Sequence, residues 1–430
     1  MHPSEEIYCE KSKKLRGKTV VVGITGSIAA VECFGTIREL IRHGADVFVV
    51  MSKEAQKIVT PDSLEFACGH PPVTDLTGRT EHITMMGPRA ADLYMIYPAT
   101  ANTISKIACG IDDTPVTSFA TVALGLGIPV AVAPAMHDAM FVNPAVKENL
   151  ERLRSWGVRF IGPRIDGPRA KVASREEVVA WTFKMLSRNY LQGKRMLIIG
   201  GRSEEPIDSM RIITNRSSGM MAVELAKRAF ERGADVELWM GGCSVQLPDY
   251  IPTRRFATVD DLVAMTADID QDAVLVPAAL ADFKPHSSAD GKISSDKGFE
   301  LDLDPVPKVL PLIREKCDLV VAFKAESGLS RQELIDRARS RLEAYGLTAV
   351  VANDIDVVGR TTSSSILVTE TEAKGITGTK AEVSDAIIDL CVKKLRSCRA
   401  PSAPAMCRAS SSRCRPTTRC AKGLADSVSG

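Results

Sequence analysis

Apolar runs of strand length alternate with stretches whose apolar positions recur at helical spacing, and this alternation is the pattern of parallel sheets built from strand–helix–strand units. Two such units share a grammar. The first opens on Lys18-Thr-Val-Val-Val-Gly23, crosses a helix-period stretch and reaches Gly44-Ala45-Asp46-Val47 before a second apolar run that ends near Met51. The second opens on Lys194-Arg-Met-Leu-Ile-Ile-Gly200 and arrives at Gly233-Ala234-Asp235-Val236. The pattern predicts an α/β chain of two doubly wound, Rossmann-like parallel-sheet domains in tandem, over 16–188 and 193–396, with a linker at 186–193. The 430 residues allow two cores, because a single core rarely grows past about 250–300 residues. From 397 to 430 the chain is rich in Ser, Pro, Arg, Ala and Cys without periodicity, and a disordered tail is expected there.

The second unit is the longer one. Its extra residues lie between the first strand and its helix, from Arg202 to Gly219, and include Arg211 and the run Asn215-Arg-Ser-Ser-Gly219. In open α/β sheets ligands sit outside the carboxyl ends of the strands, so a polar insertion at that point predicts a site.

Composition narrows the partners. Lys and Arg number 55 against 53 Asp and Glu, a formal net charge of +2, which supplies no global field for nucleic acid or an anionic membrane. Small-molecule substrates are expected instead. The N-terminal stretch is polar and no run nears the ~18 apolar residues of a membrane span, so a cytoplasmic protein is expected. The eleven cysteines are scattered without a C-x-x-C pair, and four of them, Cys398, Cys407, Cys414 and Cys420, fall in the tail. Neither a zinc site nor a dedicated metal cage is expected.

In the first half, Gly23-Ile-Thr25-Gly26-Ser27-Ile-Ala-Ala30 lies between a predicted strand and helix, where backbone N–H groups and a helix start can hold phosphate. The run is neither G-x-G-x-x-G nor a P-loop. The next strand ends in Val49-Val50-Met51-Ser52 without the acidic residue that holds an NAD ribose, which favours a mononucleotide such as FMN. Two later strands run into Pro98-Ala-Thr-Ala-Asn102-Thr103 and Pro134-Ala-Met136-His137-Asp-Ala-Met140. Of six histidines, His82 and His137 lie near these segments; each reads either as a structural residue or as a base beside a flavin.

The set GITGSIAA, Glu81-His82-Ile83, PATANTISKIACGIDD (98–113) and PAMHDAM (134–140) resembles the flavin-containing cysteine decarboxylase family. The resemblance implies Gly26, Ser27, Ser52, Asn102, Thr103 and Ser118 around FMN, His82 as the catalytic histidine, and a loop with Met136 and His137 on the substrate carboxylate. Two departures stand out. Many members read PAMN where this chain has His137, and many carry an acid cysteine in a clamping segment whose counterpart here, 162–174, has none. Arg164, Arg169 and Lys171 in that segment are candidates to grip a substrate phosphate, and the proton donor is left unassigned. The cofactor has a chemical reason: a carboxylate beside an amide nitrogen lacks an electron sink until the neighbouring CH2–SH is oxidised.

In the second half, apolar strands end at Pro277-Ala278-Ala-Leu-Ala-Asp282-Phe283, at Phe323-Lys324-Ala-Glu326 and at Ala352-Asn353-Asp354, with Gly291-Lys292-Ile-Ser between the first two. Together with Asn215-Arg-Ser-Ser-Gly219 these segments resemble the phosphopantothenate-cysteine ligases over most of 194–395. The resemblance implies a flavoprotein-type domain followed by a ligase-type domain. Asn215 would hold an acyl-cytidylate, Arg211 would meet substrate, and Lys292 would neutralise nucleotide phosphates. Ala278, Asp282, Phe323 and Arg341 would line the CTP site, with Mg2+ on the phosphates. Members often have a further lysine where this chain has Tyr345. The implied sequence of reactions is condensation of 4'-phosphopantothenate with cysteine, then decarboxylation of the product, both in coenzyme A biosynthesis. Family members assemble as homo-oligomers. Alternative readings are a flavin-fold regulatory binding protein, a flavin prenyl transferase, or a decarboxylase of another cysteine-ended substrate.

Overall fold

A computed structural model describes residues 2–87, 90–166, 169–294, 298–354 and 362–397; for 164–166, 169–171, 354, 362, 363 and 397 it describes the backbone alone. The expected tail from 398 onward lies outside the described residues.

The first half is built on β1 (Lys18–Ile24), β2 (Ala45–Met51), β3 (Leu93–Ala99), β4 (Val130–Pro134) and β5 (Arg159–Phe160). They form one sheet in the order β2-β1-β3-β4-β5, parallel throughout. Successive side chains of a strand point to opposite faces, so Val20, Val22 and Ile24 enter one core and Val21 the other. Helices Cys33–Arg42, Pro61–Cys68 and Arg175–Leu186 cover the first face; Ala101–Ala108, Pro115–Gly125 and Pro144–Ser155 cover the second. Burial on both faces is why these strands read as unbroken apolar runs. The chain leaves β1 toward one edge and returns to β3 on the other side, and at this reversal the flanking loops separate into a crevice. A short ribbon of β6 (Arg164–Asp166) and β7 (Arg169–Lys171) follows.

The second half contributes β8 (Arg195–Gly200), β9 (Glu204–Pro206), β10 (Ile212–Thr214), β11 (Asp235–Met240), β12 (Thr253–Arg255), β13 (Ala273–Val276), β14 (Phe283–Pro285), β15 (Leu303–Pro305), β16 (Val320–Glu326), β17 (Ala349–Asp354), β18 (Thr362–Val368) and β19 (Ala373–Thr379). Its main sheet runs β12-β11-β8-β13-β16-β17-β18-β19, so the order reverses between β8 and β13. Two features depart from a plain doubly wound sheet. β18 pairs antiparallel with β17 and β19 antiparallel with β18, and β19 has only exposed and half-buried positions, as an edge strand with a solvated face does. The insert after β8 is itself ordered: β9 and β10 form an antiparallel ribbon, and β14 with β15 forms another beside it. β17 also extends through Ala352-Asn353-Asp354, which the apolar pattern alone assigns to a loop, because its ladder to β16 continues to the pair Glu326–Asp354.

Helix Arg175–Leu186 joins the halves. Val178, Val179 and Phe183 belong to the first core and Ala180 to the core of the second half, while Trp181 packs against both. Trp181 meets Phe230 edge to face at 5.0 Å, and burying large apolar side chains of this kind contributes about 1.5–3 kcal/mol each. Ion pairs Lys14–Glu231 at 2.5 Å and Lys227–Glu176 at 2.7 Å flank the contact.

Candidate functional site

Both reversals carry polar loops. In the first crevice Thr25 is buried at the end of β1; its hydroxyl donates to the Pro98 carbonyl at 2.8 Å and accepts the Thr100 N–H at 3.0 Å. That hydroxyl locks the ends of β1 and β3 together, a role the sequence reading missed. Gly26 follows in the open, and a Cβ there would come within 2.4 Å of the Glu54 Cβ. Ser27 accepts the Ala29 N–H at 3.4 Å, and the buried Ser52 accepts the Ala55 N–H at 3.2 Å. Ser52 N–H donates to Ile24 O at 2.9 Å, so Gly26, Ser27 and Ser52 share one end of the sheet. Helix Ala101–Ala108 starts at the same end, capped by Thr100, with Asn102 exposed and Thr103 buried. Ser118, in the first turn of helix Pro115–Gly125, bonds the Asp112 carboxylate and the Thr114 carbonyl.

Helix Glu81–Met86 packs on helix Pro115–Gly125. Thr80 before it is left-handed at φ 51°, a strained state for a β-branched residue, and gives the helix no side-chain cap. Glu81 accepts the Thr77 hydroxyl and, at 2.9 Å, the Thr77 N–H, bonds that push its carboxyl down to about 2 and keep it ionised. His82 is half-buried, and its Nδ1 is buried without a hydrogen-bond partner among the described residues. Leaving such an atom unsatisfied costs about 1–3 kcal/mol, so the position suits a ligand that supplies the missing bond.

The loop after β4 lies beside the loop after β3, tied by Ala135 N–H to Ala99 O at 2.9 Å. Met136 packs against the core, whereas His137 is exposed and accepts the Ala139 N–H on Nδ1 at 3.2 Å. In the neutral ring that bond leaves the proton on Nε2. Arg169 and Lys171 stand on β7 and Arg164 on β6, but their side chains lie outside the described residues.

In the second crevice glycines let two strand ends approach. Gly201 has φ +78°, and a Cβ there would come within 2.8 Å of Gly242 O. The insert is then fastened to the loop after β13. Buried Ser203 accepts the Ala281 N–H at 2.9 Å, and the Asn215 side-chain amide donates to Leu280 O at 2.8 Å. Asp208 gathers the turn that follows β9. Burial would raise its pKa, but the N–H groups of Met210, Ile293 and Arg211 and the Arg211 guanidinium outweigh that and push it down to about 2. Arg211, expected to meet substrate, spends its Nη1 on Asp208 at 2.6 Å and on Ile293 O at 3.1 Å. Lys292 is exposed next to this anchor.

Ala278 packs partly buried on the core, and Phe323, also half-buried, pairs with Val351 in the sheet. Asp282 is held ionised by Lys308 at 2.6 Å, with Lys324 and Arg341 adding to the effect. A groove of about 450 Å³ runs along helix Arg331–Tyr345 and is lined by Lys324, Glu326, Arg337, Arg341 and Tyr345. Glu326 pairs with Lys324 at 3.2 Å and Arg337 at 3.1 Å, and Arg341 keeps a buried Nε without a hydrogen-bond partner among the described residues. Lys308 and Arg337 were not named from sequence, since single cations in polar loops and on helices usually mark solvated faces. Among the described residues no group of three or more His, Cys, Asp or Glu is placed to hold a metal ion, and no helix is long and apolar enough to cross a membrane.

The two halves match two family descriptions, "Flavoprotein" over residues 8–187 and "DNA/pantothenate metabolism flavoprotein C-terminal domain" over 191–395. The chain is similar to the coenzyme A biosynthesis bifunctional protein CoaBC of Thermococcus kodakarensis, at 44% identity over 92% of this chain and 100% of that one. The protein of the same name from Methanocaldococcus jannaschii is 37% identical over 92% of this chain and 98% of its own. That of Vibrio cholerae is 32% identical over 81% of this chain and 90% of its own. A flavoprotein half at one sheet reversal, a second half at another, and likeness along nearly the whole length together place the chain in the family of bifunctional coenzyme A biosynthesis proteins, CoaBC.

Proposed function

We propose that the second half (193–396) condenses 4'-phosphopantothenate with cysteine at the expense of CTP, and that the first half (16–188) decarboxylates the product with FMN. An unactivated carboxylate does not acylate an amine, so the condensation passes through a mixed anhydride with CMP and releases pyrophosphate. The amide of Asn215 is positioned against the Leu280 carbonyl to hold that anhydride, and Lys292 offsets the phosphate charge together with Mg2+. Asp282, Phe323, Ala278 and Arg341 form the nucleotide end of this crevice, and the buried orphan Nε of Arg341 is a donor ready for it.

In the first half the residues suit a flavin: the turn at Gly26 admits no side chain, because a Cβ there would collide with Glu54, and the hydroxyls of Ser27, Thr103 and Ser118 with the Asn102 amide are the flavin's partners. Bound there, FMN would supply the two-electron sink that the carboxylate needs before CO2 can leave. His82 exchanges a proton with substrate through Nδ1, and His137 presents Nε2 to the substrate carboxylate. The protein works in the cytoplasm as a homo-oligomer.

The observation that carries this reading is the Nδ1 of His82, buried and without a hydrogen-bond partner among the described residues. The test is direct. Purified protein should be yellow, release FMN on denaturation, form the amide only with CTP present, and evolve CO2 from phosphopantothenoylcysteine. A colourless protein that evolves CO2 without flavin refutes it. A preference for a cysteine-ended peptide over phosphopantothenoylcysteine transfers the first half to the alternative substrate class.

A further inference from the structure

We propose that Asp208 is a positioning residue for amide formation: with Arg211 it latches the segment that carries Lys292 onto the insert that carries Asn215. Asp208 is buried, with 4% of its surface exposed. One carboxylate oxygen accepts the N–H groups of Met210 and Arg211, both at 2.7 Å. The other accepts the Ile293 N–H at 3.1 Å and the Arg211 Nη1 at 2.6 Å. The same Nη1 donates to Ile293 O at 3.1 Å. Both backbone polar atoms of Ile293 are therefore held by residues more than eighty positions earlier, and Ala289 N–H adds a third tie, to Ile207 O at 3.1 Å.

Lys292 is the residue immediately before this anchor, and its ammonium has no hydrogen bond or ion pair among the described residues. A lysine is a point charge on a flexible stem, so its effect on a phosphate depends on where its backbone is fixed. The carboxylate fixes it. The insert end of the same latch leads through β10 to Asn215, so one buried group sets the spacing between the anhydride-holding amide and the phosphate-neutralising cation. This rests on the proposed role of Lys292.

The test is a double-mutant cycle in the full chain, with decarboxylation in the same molecule as the control for folding. Lys292→Gln, Asp208→Asn and the double variant are assayed for CTP-dependent condensation, with kcat and the KM for CTP separated. Misplacing a catalytic group by about 1 Å costs roughly 100-fold, and a loss of that order in kcat is expected for Asp208→Asn. The double variant should be no slower than Lys292→Gln alone. Arg211→Gln, which leaves Asp208 its backbone donors, should show the same non-additivity with a smaller loss, and Arg211→Lys should recover part of it; this arm decides the matter if Asp208→Asn disturbs decarboxylation. Independent, multiplying losses overturn the latch, as does wild-type condensation by Asp208→Asn. Unchanged condensation in Lys292→Gln removes the role of Lys292 instead.

Discussion

The side-chain amide nitrogen of Asn215 donates to the carbonyl oxygen of Leu280 at 2.8 Å, pinning the insert after β8 to the loop that leaves β13. Asn215→Asp replaces that donor by a carboxylate facing a carbonyl, a repulsive contact. A hydrogen bond of this kind lost with its acceptor left unpaired is worth about 1–3 kcal/mol. Condensation should fall by roughly 5- to 150-fold by that conversion while decarboxylation continues. Steady-state rates of both half-reactions on one preparation check this.

His82→Asn should abolish CO2 release and spare amide formation, and Lys292→Gln should do the reverse. His82 lies on helix Glu81–Met86 of the first half and Lys292 in a loop of the second, so a folded variant that silences both reactions would show that the division of labour assigned to the halves is wrong.

At Gly26 the prediction concerns colour. A methyl group in Gly26→Ala would sit 2.4 Å from the Glu54 Cβ, closer than unbonded carbons approach, so the turn must move. Flavin content, read as absorbance near the visible flavin band per mole of chain, should drop sharply, and condensation should stay at the wild-type rate.

Asp208 also carries an acid signature. Its carboxyl sits at about 2, below the ordinary value of 3.8, because N–H donors and Arg211 outweigh burial. A folded-state pKa below the unfolded one gives stability that is complete above about 4 and is lost as pH falls toward 2. The unfolding temperature of wild type should therefore drop more steeply between pH 4 and pH 2 than that of Asp208→Asn. Equal slopes would mean that this carboxylate is not linked to folding.

Much of the architecture was legible because it follows from periodicity. Unbroken apolar runs such as Val20–Val22 mark strands buried on both faces, and helix-period stretches between them force parallel crossovers. The turn at Gly26 and the insert around Asn215 stood out as polar residues at strand ends. What escaped the reading depends on contacts between distant residues. The antiparallel edge of β18 and β19 is set by pairing partners that periodicity does not name, and so is the extension of β17 through Asn353. Asp208 was passed over as one more acid in a polar loop, and only its closeness to Ile293 distinguishes it from a solvated side chain. Arg211 was assigned to substrate, yet one of its nitrogens is committed to that carboxylate. Lys308 and Thr25 escaped for the same reason: their meaning lies in Asp282 and in Pro98, far away along the chain.

Trp181 touches both hydrophobic cores, and Lys14 and Lys227 bolt the flanks of that contact to Glu231 and Glu176. A hinge needs a seam free to open, and here the seam is filled by an indole. With the halves fastened in this way, the intermediate should pass between the two sites through water, and an added unlinked decarboxylase should intercept it in proportion to its concentration.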